Sequence, residues 1–387
     1  MAELHFTREE HENRIARARQ SLRARGLDAL LMFAQESHFY LTGYDTAGYV
    51  FFQCAVLTAD DQPITLLTRR PDVQQAHETS IIPDVRVWYD AEGVDPALDL
   101  RDILAEKGLE GARVGIELNT FGLTGASHDR VRRALDDWCA LEDASDIVRG
   151  LRLVKSPAEL NYVRGAARLA DDALVAMIDA SRPGTLDTAI CAAGLDAMLR
   201  GGGDVPPGGP LVNSGRRALY GRSVAGPHTI KESDQVTIEF ATSYHRYTAC
   251  IMRTAVVGKA SPLQHDMFAQ VKDAITAMTE AAAPGQPIGL IDDAHRRVFD
   301  EAGHTVHRFA ACGYALGATF RPTWMDVPPM IYSGNPLIAE PGMVFFLDAM
   351  LADVAAGYAI SLGLTVVITD DGHEVLSKLL LELPVNM

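Results

Sequence analysis

The stretch Val236–Ala241, read as a strand, puts Val236, Ile238 and Phe240 on one face and Thr237, Glu239 and Ala241 on the other. A carboxylate behind so apolar a face lies inside the protein or lines a cavity. Burying it alone is costly unless a cation, a metal or hydrogen-bond donors meet it. A structural ion pair with an arginine would satisfy that need, and so would a catalytic cavity. His228, in Gly226-Pro227-His228, stands eleven residues ahead of Glu239. Alone, a loop histidine is a solvated bystander; near an inward carboxylate, an imidazole with a pKa of about 6.5 suits proton transfer at neutral pH. Asp348 closes the apolar run Val344-Phe345-Phe346-Leu347 and raises the same partner question as Glu239. Arg246, Arg253 and Arg321 are available to answer it, or to hold a substrate carboxylate. His304 and His307 share a face near a helix end, but no third donor follows nearby, so they read as structural.

The elements around these residues fall into two textures. Thr7 begins a helix, with Glu10 three residues on and Ile15, Ala18 and Leu22 in apolar register, and Gly26 stops it. Strands are expected at Ala29–Phe33, Val50–Leu57, Pro63–Leu67 and Arg113–Glu117, with a helix near His128–Leu135. Alternating strands and helices predict an α/β domain over roughly the first 145 residues. Ser156-Pro157-Ala158-Glu159 then starts a long helix to about Ser181, and a second helix covers Leu186–Arg200. The Gly- and Pro-rich segment 201–210 reads as a loop, either a plain connection or the wall of a pocket. Strands at Gln235–Thr242 and Tyr247–Val257, helices at Ser261–Ala282 and Ile288–Ala302, and strands at Val344–Met350 and Leu364–Thr369 predict an α+β half with one curved sheet.

Composition narrows the function classes. The 387 residues carry 35 Lys+Arg against 51 Asp+Glu, a net charge of −16, which argues against a nucleic-acid partner. Hydrophobic residues at 48% and charged residues at 22% suit a globular protein with a full core. Cys54, Cys139, Cys191, Cys250 and Cys312 are scattered and show no CxxC spacing. They read as thiols of a reducing cytoplasm, without a zinc site or disulfide framework. The charged N-terminus has no apolar signal core, and no run of about 18 apolar residues offers a membrane span.

Taken in order, several stretches resemble the creatinase/aminopeptidase P/methionine aminopeptidase family. They are Arg152-Leu-Val-Lys155-Ser156-Pro-Ala-Glu159, Gly226-Pro-His228, Tyr247…Arg253-Thr254…Gly258, Gly313-Tyr-Ala-Leu-Gly317 and Glu340-Pro-Gly342-Met343-Val344-Phe345. Tyr40-Leu-Thr-Gly43-Tyr44 is similar to the stretch "YLTG" of the family's N-terminal domain. The resemblance implies an α/β creatinase-type N-terminal domain over residues 1–148 and an α+β pita-bread catalytic domain over 149–387. Metal-dependent members hold two ions with two Asp, one His and two Glu. At the corresponding places this chain has Glu239, Cys250, Tyr314 and Asp348, and no acid near Ser361–Gly363. The resemblance therefore implies that the dinuclear site is lost and that no metal or other cofactor is used.

Within the family the chain looks closest to ectoine hydrolase, a metal-free branch that, like creatinase, splits C–N bonds in small cyclic or guanidinium-like solutes. Ile238-Glu-Phe-Ala241, His245-Arg-Tyr247, Gly313-Tyr314-Ala-Leu-Gly317 and Pro322-Thr-Trp324 carry that likeness, while Cys250-Ile251-Met252 departs from it. The implied mechanism has His228 as base and then acid, with Glu239 and Asp348 holding the cationic group. Tyr44, Tyr314, Arg253, Arg321 and Cys250 are the candidates for contacting the substrate; Tyr314 either donates to a developing oxyanion or fills vacated metal space. The implied partners are a small-molecule substrate and a second copy of the chain in a homodimer, with Tyr44 reaching across. Two alternatives stand: an Xaa-Pro metallopeptidase with atypical ligands, and a non-catalytic binding protein on the same fold.

Overall fold

The computed structural model describes residues 3–386. The chain divides into two compact units between Arg152 and Leu153, four residues later than the expected boundary at 148. The helix Asp146–Leu153 explains the shift, because its Ile147 and Val148 are buried in the core of the first unit.

In the first unit, six strands form one mixed sheet: β1 (Ala29–Met32), β2 (Cys54–Thr58), β3 (Thr65–Arg69), β4 (Asp84–Trp88), β5 (Arg113–Ile116) and β6 (Ala140–Asp143), in the order β4-β3-β2-β1-β5-β6. Leu30, Met32 and Leu57 pack on one face and Leu31, Val56 and Ile116 on the other. Both faces are thus covered, as the continuous apolar runs require. The first helix runs Arg8–Arg25, capped by the Thr7 hydroxyl and ended by Gly26 in the left-handed conformation. Two expectations fail here. Val50 and Phe51 are exposed, and the strand begins only at Cys54, because a 3-10 turn occupies Gly48–Val50. Gln35–Thr42 forms an unforeseen helix ended by Gly43, and the "YLTG" stretch lies on its last turn.

The second unit opens with α1 (Pro157–Ala180) and α2 (Asp187–Arg200). Ser156 caps α1 reciprocally: its hydroxyl accepts from Glu159 N at 3.3 Å, and Glu159 Oε2 accepts from Ser156 N at 2.8 Å. The other oxygen of Glu159 accepts from Tyr247 Oη at 2.7 Å, which ties the helix start to the sheet. Replacing Ser156 with Ala should therefore cost about 1 kcal/mol, read as a lower denaturation midpoint with unchanged slope.

Behind these helices lies the second sheet, in the order β10-β11-β12-β9-β8-β7. Its strands are β7 (Leu211–Ser214), β8 (Gln235–Tyr244), β9 (Tyr247–Val257), β10 (Gly313–Ala315), β11 (Val344–Asp353) and β12 (Tyr358–Ile368), with two short ones off this path, His373–Val375 beside β12 and Val385–Asn386 beside β9. One face packs on helices: Val236, Ile238, Phe240 and Ile251 meet Ala170, Leu174 and Met177 of α1. On the other half, Phe345, Leu347, Ile360 and Leu362 meet α3 (Pro262–Ala281) and α4 (Gly289–Glu301). The opposite face of the strands is left to line a cavity. At the middle of the sheet, β9 and β12 share only two register pairs, Leu362 with Arg253 and Gly363 with Met252. Beyond them hydroxyls take over. Thr365 Oγ1 donates to Cys250 O at 2.8 Å and accepts from Cys250 N at 2.9 Å, while Thr254 Oγ1 accepts from Ser361 N at 2.9 Å.

Candidate active site

The pleat places side chains two apart on the same face. Val236, Ile238 and Phe240 go to the helices, so Glu239 goes to the cavity, as the alternation in the sequence predicts. Its neighbours in register form one row across four strands: Glu239 on β8 opposes Met252 on β9, Met252 opposes Gly363 on β12, and Gly363 opposes Asp348 on β11. Two carboxylates thus stand at the ends of a row whose middle holds a thioether and a bare glycine. The cavity above them encloses about 730 Å³. Trp324, Tyr314 and Phe309 contribute aromatic wall, Met252, Met330 and Met350 contribute thioethers, and Gly208 and Gly209 of the glycine-rich loop line it too.

Burial raises both carboxylates. Glu239 is pushed up to about 7, against the pull of the Arg222 guanidinium and of the Tyr314 hydroxyl, which donates to Oε1 at 3.4 Å. Asp348 is pushed up to about 8 by burial first and then by the Glu239 charge, again opposed by Arg222. Near neutral pH the pair therefore holds on to a proton, as like charges in a partly dry cavity require. Tyr314 is fixed by Trp324, whose Nε1 donates to its hydroxyl at 2.7 Å. Cys250 Sγ lies 3.6 Å from the same hydroxyl. Burial holds both the Cys250 thiol and the Tyr314 phenol well above their ordinary ranges, so both are neutral.

A pair of divalent ions does not fit this donor set. Cys250 is packed behind Tyr314 and does not line the cavity, so only two carboxylates face it, and Arg222 already supplies a positive charge there. At Gly363, a Cβ would stand within 2.6 Å of Phe346 Cε2 and 2.9 Å of Met252 Cβ. The Phe346 ring fills the space a ligand side chain there would need. Among the described residues, the one group of three His, Cys, Asp or Glu donors within 4.8 Å of one another is Asp292, His295 and Cys312, none of which lines the cavity.

Of the residues singled out from sequence, Glu239, Tyr314 and Asp348 come together, and the rest go elsewhere. His228 is exposed and does not line the cavity, which corrects its assignment as acid/base. Its backbone is pinned to the start of α2, with N–H donating to Asp187 Oδ1 and C=O accepting from Asp187 N. Arg253 is corrected as a substrate contact by the pleat. Adjacent to Met252, it points to the opposite face, where Nη1 donates to Met252 O and Gly363 O. Burial lowers its pKa to about 10, with Asp171 opposing. Cys250 has the right face but lies beneath Tyr314, out of the cavity. Arg321 is exposed, and the cavity wall begins at the next residue, Pro322. Tyr44 is buried in the core of the first unit, with its hydroxyl donating to Gln53 Oε1 at 3.2 Å. His304 and His307 lie with ring centroids 5.8 Å apart, and His307 Nδ1 meets Ala352 O at 3.3 Å.

The cation at the cavity is Arg222, which no sequence signal singles out. Three arginines crowd Gly215–Ser223, and nothing in their type or spacing separates them. Arg216 is spent on Val354 O, Arg217 on Ser223 and Val224 O, and Arg222 faces the carboxylates.

Known proteins give these features a context. The model of metallopeptidase family M24 matches residues 161–370, and that of the creatinase/prolidase N-terminal domain matches 14–154. An ectoine hydrolase of Halomonas elongata is 26% identical over 391 residues, covering 97% of this chain and 96% of that one. An Xaa-Pro dipeptidase of Pyrococcus furiosus is also 26% identical, over 233 residues, covering 60% and 65%. The prolidase of Thermococcus sibiricus has the same fold, with a TM-score of 0.87 at 20% identity over 97% of this chain and 99% of that one. The expected architecture, a creatinase-type first domain and a pita-bread second domain, is the one found.

Proposed function

This chain belongs to metallopeptidase family M24 and is a hydrolase of that family, and on that premise we propose that it cleaves a C–N bond in a small cationic solute without a metal ion. The observation that carries the reading is the row Glu239–Met252–Gly363–Asp348, with Arg222 facing both acids. A carboxyl pair that keeps one proton has one base and one acid ready near neutral pH. Glu239, whose charged form has the Tyr314 hydroxyl as a donor, takes a proton from the attacking water. Asp348, which burial and then the Glu239 charge raise, gives a proton to the leaving nitrogen.

Substrate binding follows from the walls. An amidinium or guanidinium placed between Glu239 and Asp348 gains charge-assisted hydrogen bonds. Trp324 and the methionines offer polarisable surface to its flat faces. Arg222 is suited to a carboxylate at the other end of the solute, so a zwitterion the size of a cyclic amidine amino acid is the substrate class that matches the charges. The neutral Tyr314 hydroxyl, oriented by Trp324, donates to charge developing on oxygen. The expected residence is the cytoplasm, and the expected assembly is a homodimer; among the described residues no helix is long and apolar enough to cross a membrane.

The likeness to Xaa-Pro dipeptidases favours a rival, metal-assisted peptide hydrolysis. One assay separates them. Purified protein is offered ectoine, creatine, and Ala-Pro, each with and without added manganese(II). Hydrolysis of a cationic solute unaltered by manganese supports the proposal. Cleavage of Ala-Pro alone, appearing only with manganese, overturns it.

A further inference from the structure

Outside the cavity, three donors converge in the core between α4 and the segment that enters β10. Asp292 and His295 sit one turn apart on α4, and Cys312 immediately precedes β10. The ligand atoms Asp292 Oδ, a His295 ring nitrogen and Cys312 Sγ all lie within 4.8 Å of one another, and the residues are 0%, 1% and 0% exposed. Asp292 is held by its other oxygen: Oδ2 accepts from Arg296 Nε at 2.7 Å and from Ser333 N at 2.8 Å. Its Oδ1 is left over. That atom and His295 Nδ1 approach to 3.2 Å, yet both are buried without a hydrogen-bond partner. Burial works against the Asp292 carboxylate, and His295 and Arg296 nevertheless hold it below the ordinary carboxylate range, but the 3.2 Å contact is poorly aligned for a hydrogen bond, so the two buried atoms are incompletely satisfied at some cost. A third atom to which both could direct a lone pair would remove the cost.

We propose that Asp292, His295 and Cys312 form a site for one zinc(II) ion, separate from the catalytic cavity. One carboxylate oxygen, one imidazole nitrogen and one thiolate sulfur are a zinc set, while calcium and magnesium demand several oxygens. Thiolate and carboxylate together balance the dication, which makes burial of all three charges tolerable. The fourth vertex of the tetrahedron falls to a water molecule. Asp292 is already oriented by Arg296 and the Ser333 amide, the kind of outer support that ligands of tightly held metals have.

The position gives the ion a task. Cys312 N–H donates to Ile331 O, and Cys312 C=O accepts from Asp348 N at 3.0 Å. Its chain neighbours Ala311 and Gly313 line the cavity. Zinc would thus fasten α4 to the backbone against which Asp348 is registered, making it a positioning element that touches neither substrate nor water in the reaction.

The test uses the full chain and its Cys250→Ser variant, so that any thiolate signal is assigned away from the cavity. Metal analysis should find about one zinc per chain in both, and cobalt(II) substitution should give the intense thiolate charge-transfer band of a tetrahedral site in both. Cys312→Ser and Asp292→Asn should lose that band and weaken zinc binding by about tenfold or more. Circular dichroism reports whether each variant is folded. If a variant does not fold, the cobalt spectrum of Cys250→Ser decides alone. Absence of zinc binding in the folded parent, or a thiolate band present in the parent and absent in Cys250→Ser, overturns the proposal. The first result leaves the metal-free hydrolase reading untouched, whereas the second would place a metal beside Tyr314 and count against that reading too; the assay with substrate and manganese tests that reading separately.

Discussion

Replacing Asp348 with Asn should lower kcat/KM by about 10²–10⁴ and, at about pH 8.5, make the protein more stable than the parent. The first half follows from the proposed mechanism, in which Asp348 gives a proton to the leaving nitrogen. The second follows from linkage. Glu239 and Asp348 are both pushed up by burial, to about 7 and about 8, above the ordinary carboxyl range. Between the unfolded values and these folded ones the native state binds more protons than the unfolded chain, so stability falls as pH rises. Their favourable contribution is whole below about pH 4 and is lost as pH rises through 7 and 8. An amide at position 348 takes no part in this loss. Each pKa unit is worth about 1.4 kcal/mol, and water entering the half-open cavity cuts the full difference, leaving a gain of about 2 kcal/mol at alkaline pH that shrinks steadily below about pH 8 and is almost gone near pH 4. Parallel denaturation curves at the two pH values check this. The parent's pH–rate profile should also show activity falling below about 7, where the pair is fully protonated, and above about 8, where it is fully ionised. A variant equally active, or one destabilised at alkaline pH, would sink the assignment.

Gly363→Glu should destabilise the second domain by about 3 kcal/mol or more without creating a manganese site. This change puts an acid where the family resemblance leads one to expect a metal ligand. In this protein, however, the Cβ would strike Phe346 and Met252. Phe346 is fully buried, and its ring also meets Tyr314 with centroids 5.2 Å apart, so it has no free direction to move. Gly363→Ala should already cost about 1–3 kcal/mol, and Phe346→Ala in the same chain should recover part of that loss. Thermal melts of the three variants, with manganese titrated into each, decide the matter. Unchanged stability in Gly363→Ala would show that the ring yields easily and that the space is not committed.

Much of the arrangement was legible in the residues. Period-two alternation is local, so the facing of Glu239 and the apolar back of β8 could be read directly, and the Ser-Pro-Ala-Glu start of α1 carries its own hydrogen bonds. The failures have different causes. β7 and β10 are only four and three residues long, too short for a periodic signal. Arg253 sits beside Met252 on a strand buried along its whole length, where the pattern of apolar residues cannot say which face is the cavity. Histidine has the pKa that suits acid/base work, so the sequence points to His228, while nothing in it singles out Arg222. The choice was made by the path of the chain between Ser214 and Gln235, and that path is set by backbone hydrogen bonds to Asp187, far away in sequence.

The seam between β9 and β12 has a consequence for how such an enzyme changes its substrate. Glu239 and Asp348 belong to opposite halves of the sheet, and the two halves meet at two backbone register pairs and a few hydroxyl bridges from Thr254, Ser361 and Thr365. A regular ladder would lock the acids at a spacing dictated by strand geometry. A seam stitched by side chains leaves that aperture open to mutation. Exchanging a threonine for a serine or a valine there resets the gap between the acid and the base while both remain in place, which offers descendants of this fold a route to larger or smaller solutes that spares the catalytic pair.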